Sequence, residues 1–138
     1  MSGYDTNLAA EFYALSMLHR LGYSATLTLG NRKAVDIVVV PRKGQPITVD
    51  VKGLAGTTGW PVDNLRPGRK QHFIVFVCFL DRIGDAGMLP EVYVVPSPKV
   101  RALTYNAPGG RKVVQLSKLR ARGQKYRDAW RQLRRSPI

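Results

Sequence analysis

The stretch Ala34–Gly53, AVDIVVVPRKGQPITVDVKG, decides how this chain folds. It reads as two apolar runs, Ala34–Val40 and Ile47–Lys52, with Pro41, Gly44 and Pro46 breaking the chain between them. Val and Ile fill both runs, as a half-buried sheet requires. Asp36, Asp50 and Lys52 do not fit. A charge among Val and Ile costs free energy unless something compensates it. A local rule broken inside a well-patterned element marks a candidate site.

Strand geometry sharpens that reading. Side chains alternate faces, so Asp50 and Lys52 share one face and Val51 takes the other. Asp36 shares a face with Val38 and Val40, opposite Ile37 and Val39. If the two strands pair as neighbours, Asp36 and Asp50 converge near one edge of the sheet. Two close carboxylates repel each other, and a bound divalent cation relieves the repulsion. The neighbouring ammonium of Lys52 is suited to steady an attacking hydroxide or a phosphate oxygen.

Upstream, a helix is expected from about Thr6 to Leu21, capped by Asp5 or Thr6 and ended by Gly22. Leu8, Phe12, Leu15 and Leu18 recur at helical spacing and predict its apolar stripe. Glu11 falls on that stripe, so its carboxylate is expected to aim at the sheet, either into a site or onto a local Arg. His19 shares the face and reads as a satisfied core histidine before a ligand. Tyr23–Leu29 is expected to be a strand, with Gly30-Asn31 as its hairpin turn.

Downstream of Lys52, Gly53–Gln71 reads as a long irregular loop, and such loops tend to be functional or mobile. It carries Trp60, Arg66, Arg69 and Lys70. Its cations suit phosphates, and Trp60 either stacks on a base or packs on the core. His72 opens the next strand with no spacing that assigns it a role. Phe73–Leu80 predicts a buried central strand, with Cys78 an inert core thiol in a reducing compartment. Glu91–Val95 follows as a strand closed by Pro96, then a short helix capped by Ser97, then a small strand over Arg111–Leu116. Helical sequence starts at Ser117, breaks at Gly123 and resumes over Lys125–Arg135. There Tyr126, Trp130 and Leu133 face inward. Arg127, Arg131 and Arg134 form a cationic line, with Arg120, Arg122, Lys125 and Arg135 nearby and Asp128 to oppose them. The single sign favours a phosphate-tracking surface over a merely solvated face.

At 138 residues, positions 1–138 are expected to form one domain with a real core. The net charge of +13 implies a polyanionic partner, nucleic acid before an anionic membrane. No apolar run is long enough to span a bilayer, and the first residues lack the apolar segment of a signal peptide. A cytoplasmic location is expected.

Helix, three strands, loop, two strands and helices, with Glu11, Val35-Asp36 and Asp50-Val51-Lys52 at these places, resemble the restriction-endonuclease-like PD-(D/E)XK nuclease superfamily. The resemblance spans about Thr6 to Val95, within a core of about 5–95; the basic tail of about 117–138 lies outside it. Val35 stands where the name-giving proline would be, and no clear helix follows Lys52, where the common core has one. The resemblance implies an α/β fold, a mixed sheet flanked by helices, here with a basic C-terminal helix. It implies an endonuclease that hydrolyses DNA phosphodiester bonds with Mg²⁺ or Mn²⁺, with RNA as the open alternative substrate. Asp36, Asp50 and the Val51 carbonyl would ligate the metal. Glu11 would hold the metal or its waters, and Lys52 would orient water or stabilise the transition state. Arg66, Arg69, Lys70, Arg120, Arg122, Lys125, Arg127, Arg131 and Arg134 would grip the backbone. Cutting both strands of a duplex takes two sites, which suits a homodimer. The rival readings are a non-catalytic nucleic-acid-binding module on the same fold and a subunit of a nucleoprotein or nuclease complex.

Overall fold

The computed structural model describes residues 3–28, 35–65 and 70–133. Helix α1 (Gly3–Arg20) leads into strands β1 (Ala25–Leu27), β2 (Ile37–Val39), β3 (Ile47–Leu54), β4 (Gly59–Pro61), β5 (His72–Cys78) and β6 (Glu91–Pro96). Helix α2 (Ser97–Val100), strands β7 (Thr104–Asn106) and β8 (Lys112–Gln115), and helix α3 (Leu116–Arg122) complete the regular elements. The main sheet runs β1-β2-β3-β5-β6. Its β3–β5 pair is parallel and the other pairs are antiparallel. The fold is therefore a mixed sheet flanked by helices, as the sequence predicts. Gly30-Asn31, the expected hairpin turn, lies outside the described residues.

Helix α1 covers one face of the sheet through Leu18 and Leu15 of the expected stripe and through two alanines that the leucine spacing does not predict. Ala10, Ala14 and Leu18, four apart, are fully buried, with Thr6 and Glu11 beside them, while Phe12 is 53% exposed. The cause is a close approach. A Cβ placed on Gly53 would stand 2.8 Å from the Thr6 carbonyl oxygen and 3.0 Å from the Ala10 Cβ. Small residues let helix and strand meet there, and the bulkier Phe12 is turned to solvent. On the strand side this core holds Ile37, Val39, Ile47, Val49, Val51, Phe73, Val75 and Val77. His19 is exposed, and its Nε2 pairs with the Ala25 carbonyl at 2.8 Å.

The opposite face carries a second apolar cluster under a three-stranded sheet in the order β4-β8-β7. Parallel neighbours need a crossover. Here the chain crosses from β3 to β5 through β4, so part of the expected Gly53–Gln71 loop is strand. Trp60 is fully buried in β4, donates its Nε1–H to the Val77 carbonyl at 3.2 Å and meets the Phe76 ring edge-on at 5.1 Å. It belongs to the core and is not available to stack on a base. Cys78 is buried as expected. Its thiol lies 3.1 Å from the Gly56 carbonyl, and burial pushes its pKa up.

The tail departs from expectation. After α3 it forms 3₁₀ turns at Gln124–Tyr126 and Trp130–Leu133 instead of a resumed helix. Arg127 bridges to Tyr93, and Asp128, at φ 49°, donates its N–H to the Val92 carbonyl at 2.9 Å. This segment pairs with the outer edge of β6, which would otherwise expose unpaired backbone groups. Tyr126 enters the cluster on one face, and Trp130 and Leu133 enter the core on the other. The inward residues are those expected, delivered by turns that wrap the sheet edge. Ser97 starts α2 but does not cap it: the N-cap is Pro96, with no side-chain cap. Among the described residues, no helix is long and apolar enough to cross a membrane.

Candidate active site at the Asp36–Asp50 edge

The register of β2 on β3 sets Ile37 against Val49. Asp36, just before β2 begins, lies beside Val49 and Val51 and is hydrogen-bonded to both of these residues. Ile37 and Val49 enter the core under α1, so Asp50 turns to the other face of β3. Lys52 follows two residues on and shares it. All three are half-buried. The charges of Asp50 and Asp36 both act on Lys52, so the three groups lie near one another.

Asp36 extends the ladder with its side chain. Its N–H donates to the Val49 carbonyl at 3.0 Å, and its Oδ2 accepts the Val51 N–H at 2.7 Å. Successive residues of an inner strand direct their backbone groups to alternate neighbours. Thr48 donates to Gln71, on the β5 side. Val51 therefore directs both N–H and C=O to the β2 side, beyond the point where β2 starts. The Asp36 carboxylate and the Val51 carbonyl consequently lie at one open edge. Further along that edge, the Gly53 N–H donates to Asn7 Oδ1 of α1 at 3.0 Å. Glu11 follows Asn7 by one helical turn on the same line of α1 and is 7% exposed. Glu11 is thus a buried carboxylate one turn from the residue that meets Gly53.

Lys52 is held between opposing influences. Burial keeps its ammonium below the ordinary lysine pKa, against the upward pull of the Asp50, Asp36 and Asp63 charges. The Nζ donates to Asn64 Oδ1 at 2.9 Å. Asp50 has a second neighbour: His72 Nε2 lies 3.1 Å from its Oδ2, and Thr48 Oγ1 lies 2.7 Å from His72 Nδ1. Sequence reading assigned no role to His72, Asn64 or Asn7. Their partners are set by the β3–β5 register and by the crossover, and neither leaves a local signal. Thr48 had one, because Thr48, Asp50 and Lys52 alternate along a single face of β3.

Among the described residues, no three of His, Cys, Asp and Glu form a group that could hold a metal ion. The donor set at the edge is two carboxylates and a backbone carbonyl. That set fits Mg²⁺, which takes hard oxygen ligands, commonly binds through one or two carboxylates and keeps several waters.

The cations divide. Arg66, Arg69 and Arg134 lie outside the described residues. Lys70, Arg122, Lys125 and Arg131 are exposed. The Arg120 guanidinium is engaged with buried Glu91, through Nε at 3.0 Å and Nη2 at 2.8 Å. Arg127 is 3.9 Å from the same carboxylate and lies over the Tyr93 ring, and Lys125 lies over the Tyr126 ring. The Arg120 fork holds Glu91 down at about 2, and burial pushes its hydrogen-bonded neighbour Tyr93 up to about 12.

No family model matches the chain, and none of the curated proteins is similar enough to match. Among solved structures it is similar to a bacterial homing endonuclease, I-Ssp6803I. The two share 20% sequence identity, the match covers 96% of this chain and 91% of that one, and the TM-score is 0.62. At this identity the likeness establishes a common fold.

Proposed function

We propose that the chain is a metal-dependent DNA endonuclease of the PD-(D/E)XK type. The observation that carries this reading is the meeting of Asp36, Asp50 and Lys52 at the open edge beside the Val51 carbonyl. The fold shared with a homing endonuclease and the net charge of +13 support it. Asp36, Asp50 and the Val51 carbonyl would hold Mg²⁺ or Mn²⁺, and Glu11 would help hold the ion or its waters. When bound, the ion lowers the pKa of water and neutralises charge on the phosphate. The Val51 N–H fixes the Asp36 carboxylate, and Asn64 fixes the Lys52 ammonium. Lys52 places a positive charge where an attacking water or a phosphate oxygen gathers negative charge, in a partly desolvated setting that strengthens the interaction. The exposed Lys70, Arg122, Lys125 and Arg131, with Arg66, Arg69 and Arg134, supply sequence-independent affinity for the backbone. Two copies acting together would cut both strands.

One observation favours a second reading, a non-catalytic binding module. Asp50 and Lys52 each have a protein partner, and no three acids or histidines form a metal group among the described residues. A single assay separates the two. The catalyst nicks or linearises plasmid DNA with Mg²⁺ or Mn²⁺ and stops in EDTA, and Lys52→Ala loses cleavage while keeping DNA binding. Equal cleavage by wild type and Lys52→Ala would trace the activity to a contaminant and remove the nuclease assignment. Retarded but intact DNA would establish the binding module.

A further inference from the structure

We propose that His72 is a positioning residue for Asp50, holding its carboxylate in the orientation in which it takes a divalent cation. The proposal rests on the reading of Asp50 as a metal ligand. The imidazole is 1% exposed and the carboxylate 18%. An ionised carboxylate can only accept, so His72 Nε2 carries the proton that reaches Asp50 Oδ2 at 3.1 Å. The ring's other nitrogen, Nδ1, is held by the Thr48 hydroxyl at 2.7 Å. The remaining hydroxyl contact, 3.5 Å to the Gln71 carbonyl, is too long to compete. Thr48, His72 and Asp50 thus form a continuous chain of hydrogen bonds.

The two strands build this chain. Thr48 and His72 are register partners across β3 and β5, and Asp50 lies two residues along the same face of β3. Fixing one carboxylate oxygen on a buried ring fixes the plane of the group. A bond to Val51 does the same for Asp36 across the edge. Hydrogen-bonded partners of this kind orient metal ligands, and losing one typically costs about 10–100-fold in metal affinity.

If the buried His–Asp pair only stabilised the fold, losing it would lower the melting temperature equally with and without metal. The discriminating quantity is therefore the Mn²⁺ or Mg²⁺ concentration that gives half of the metal-induced rise in melting temperature, measured without DNA. In His72→Leu this midpoint is expected to move up by about 10–100-fold. His72→Gln, whose amide N–H stands near the place of Nε2–H, should return it to within a few-fold of wild type. Thr48→Val leaves the ring but removes the hydroxyl that holds its Nδ1, and should fall between. It decides the question if His72→Leu fails to fold. Midpoints unchanged in Thr48→Val and His72→Leu, with Asp50→Asn abolishing the rise, would overturn the role of His72 and leave Asp50 a ligand. No metal-induced rise in wild type would overturn both.

Discussion

The Asp36 carboxylate takes the place of a backbone carbonyl, accepting the Val51 N–H at 2.7 Å where β2 has not yet begun. One side chain thereby closes the ladder and carries negative charge to the edge of the sheet. The two tasks separate by substitution. Asp36→Ala leaves a half-buried donor unpaired and should cost about 1–3 kcal/mol in a urea titration. Asp36→Asn keeps an acceptor and should cost less. Both should lose metal-induced stabilisation and metal-dependent cleavage. An Asp36→Asn protein with wild-type metal response would remove Asp36 from the ligand set.

Lys52 is expected to trade stability for chemistry. Its pKa is lowered because burial outweighs the attraction of Asp50, Asp36 and Asp63. Below its folded pKa the charged ammonium therefore costs folding free energy. The folded state binds fewer protons than the unfolded one between that pKa and the ordinary value of 10.5, so this contribution to stability rises with pH there. Lys52→Met should melt no lower than wild type at pH 7, and the difference should close toward pH 10.5. Cleavage should be lost at every pH. Parallel melts across pH test the sign: a variant less stable than wild type at pH 7 would show that the attractions dominate.

Periodicity and charge single out the residues of the proposed site. Val and Ile alternation around Asp50 and Lys52 is enough to set their shared face of β3, because a strand has only two. Less was legible where geometry depends on distant partners. The α1 face follows Ala10 and Ala14 because Gly53 admits the helix backbone, which leucine spacing does not reveal. Strand β4 is three residues long and is held by β8, more than fifty positions away. The tail looked helical because Tyr126, Trp130 and Leu133 recur at three and four residues. Its turns meet the same spacing while Arg127 and Asp128 pair with the β6 edge. Cutting the tail at Arg120 would therefore remove core residues, so its cations are better tested singly.

The Gly53 contact gives a sharp packing test. A methyl group there would meet the Thr6 carbonyl oxygen at 2.8 Å and the Ala10 Cβ at 3.0 Å. Gly53→Ala should push α1 away from β3 and destabilise by roughly 1–3 kcal/mol, as overpacked cores do. The same shift moves Asn7 and Glu11 relative to the edge, so metal response should weaken with stability. Pairing Gly53→Ala with Ala10→Gly relieves the side-chain contact but not the carbonyl contact, and should recover only part of the loss. Full recovery in denaturant titrations would show that the Thr6 carbonyl can give way.

Arg120 and Arg122 lie two residues apart and should behave oppositely. Arg120 is committed to Glu91, whose pKa it lowers from the ordinary 4.5 to about 2. With the folded pKa below the unfolded one, the contribution of Glu91 is fully present above 4.5 and is lost as pH falls through about 2. Arg120→Ala should therefore unfold more easily at pH 7, and its deficit should shrink toward pH 2. Its DNA affinity should keep the wild-type dependence on salt. Arg122 is exposed on the last turn of α3. If it meets a phosphate, Arg122→Ala should leave the melt unchanged and reduce the slope of log affinity against log salt by roughly 1. Binding titrations at several salt concentrations, with urea melts at pH 7 and pH 3, read both effects. A reduced slope in Arg120→Ala at unchanged stability would reverse the two assignments, making Arg120 the phosphate contact.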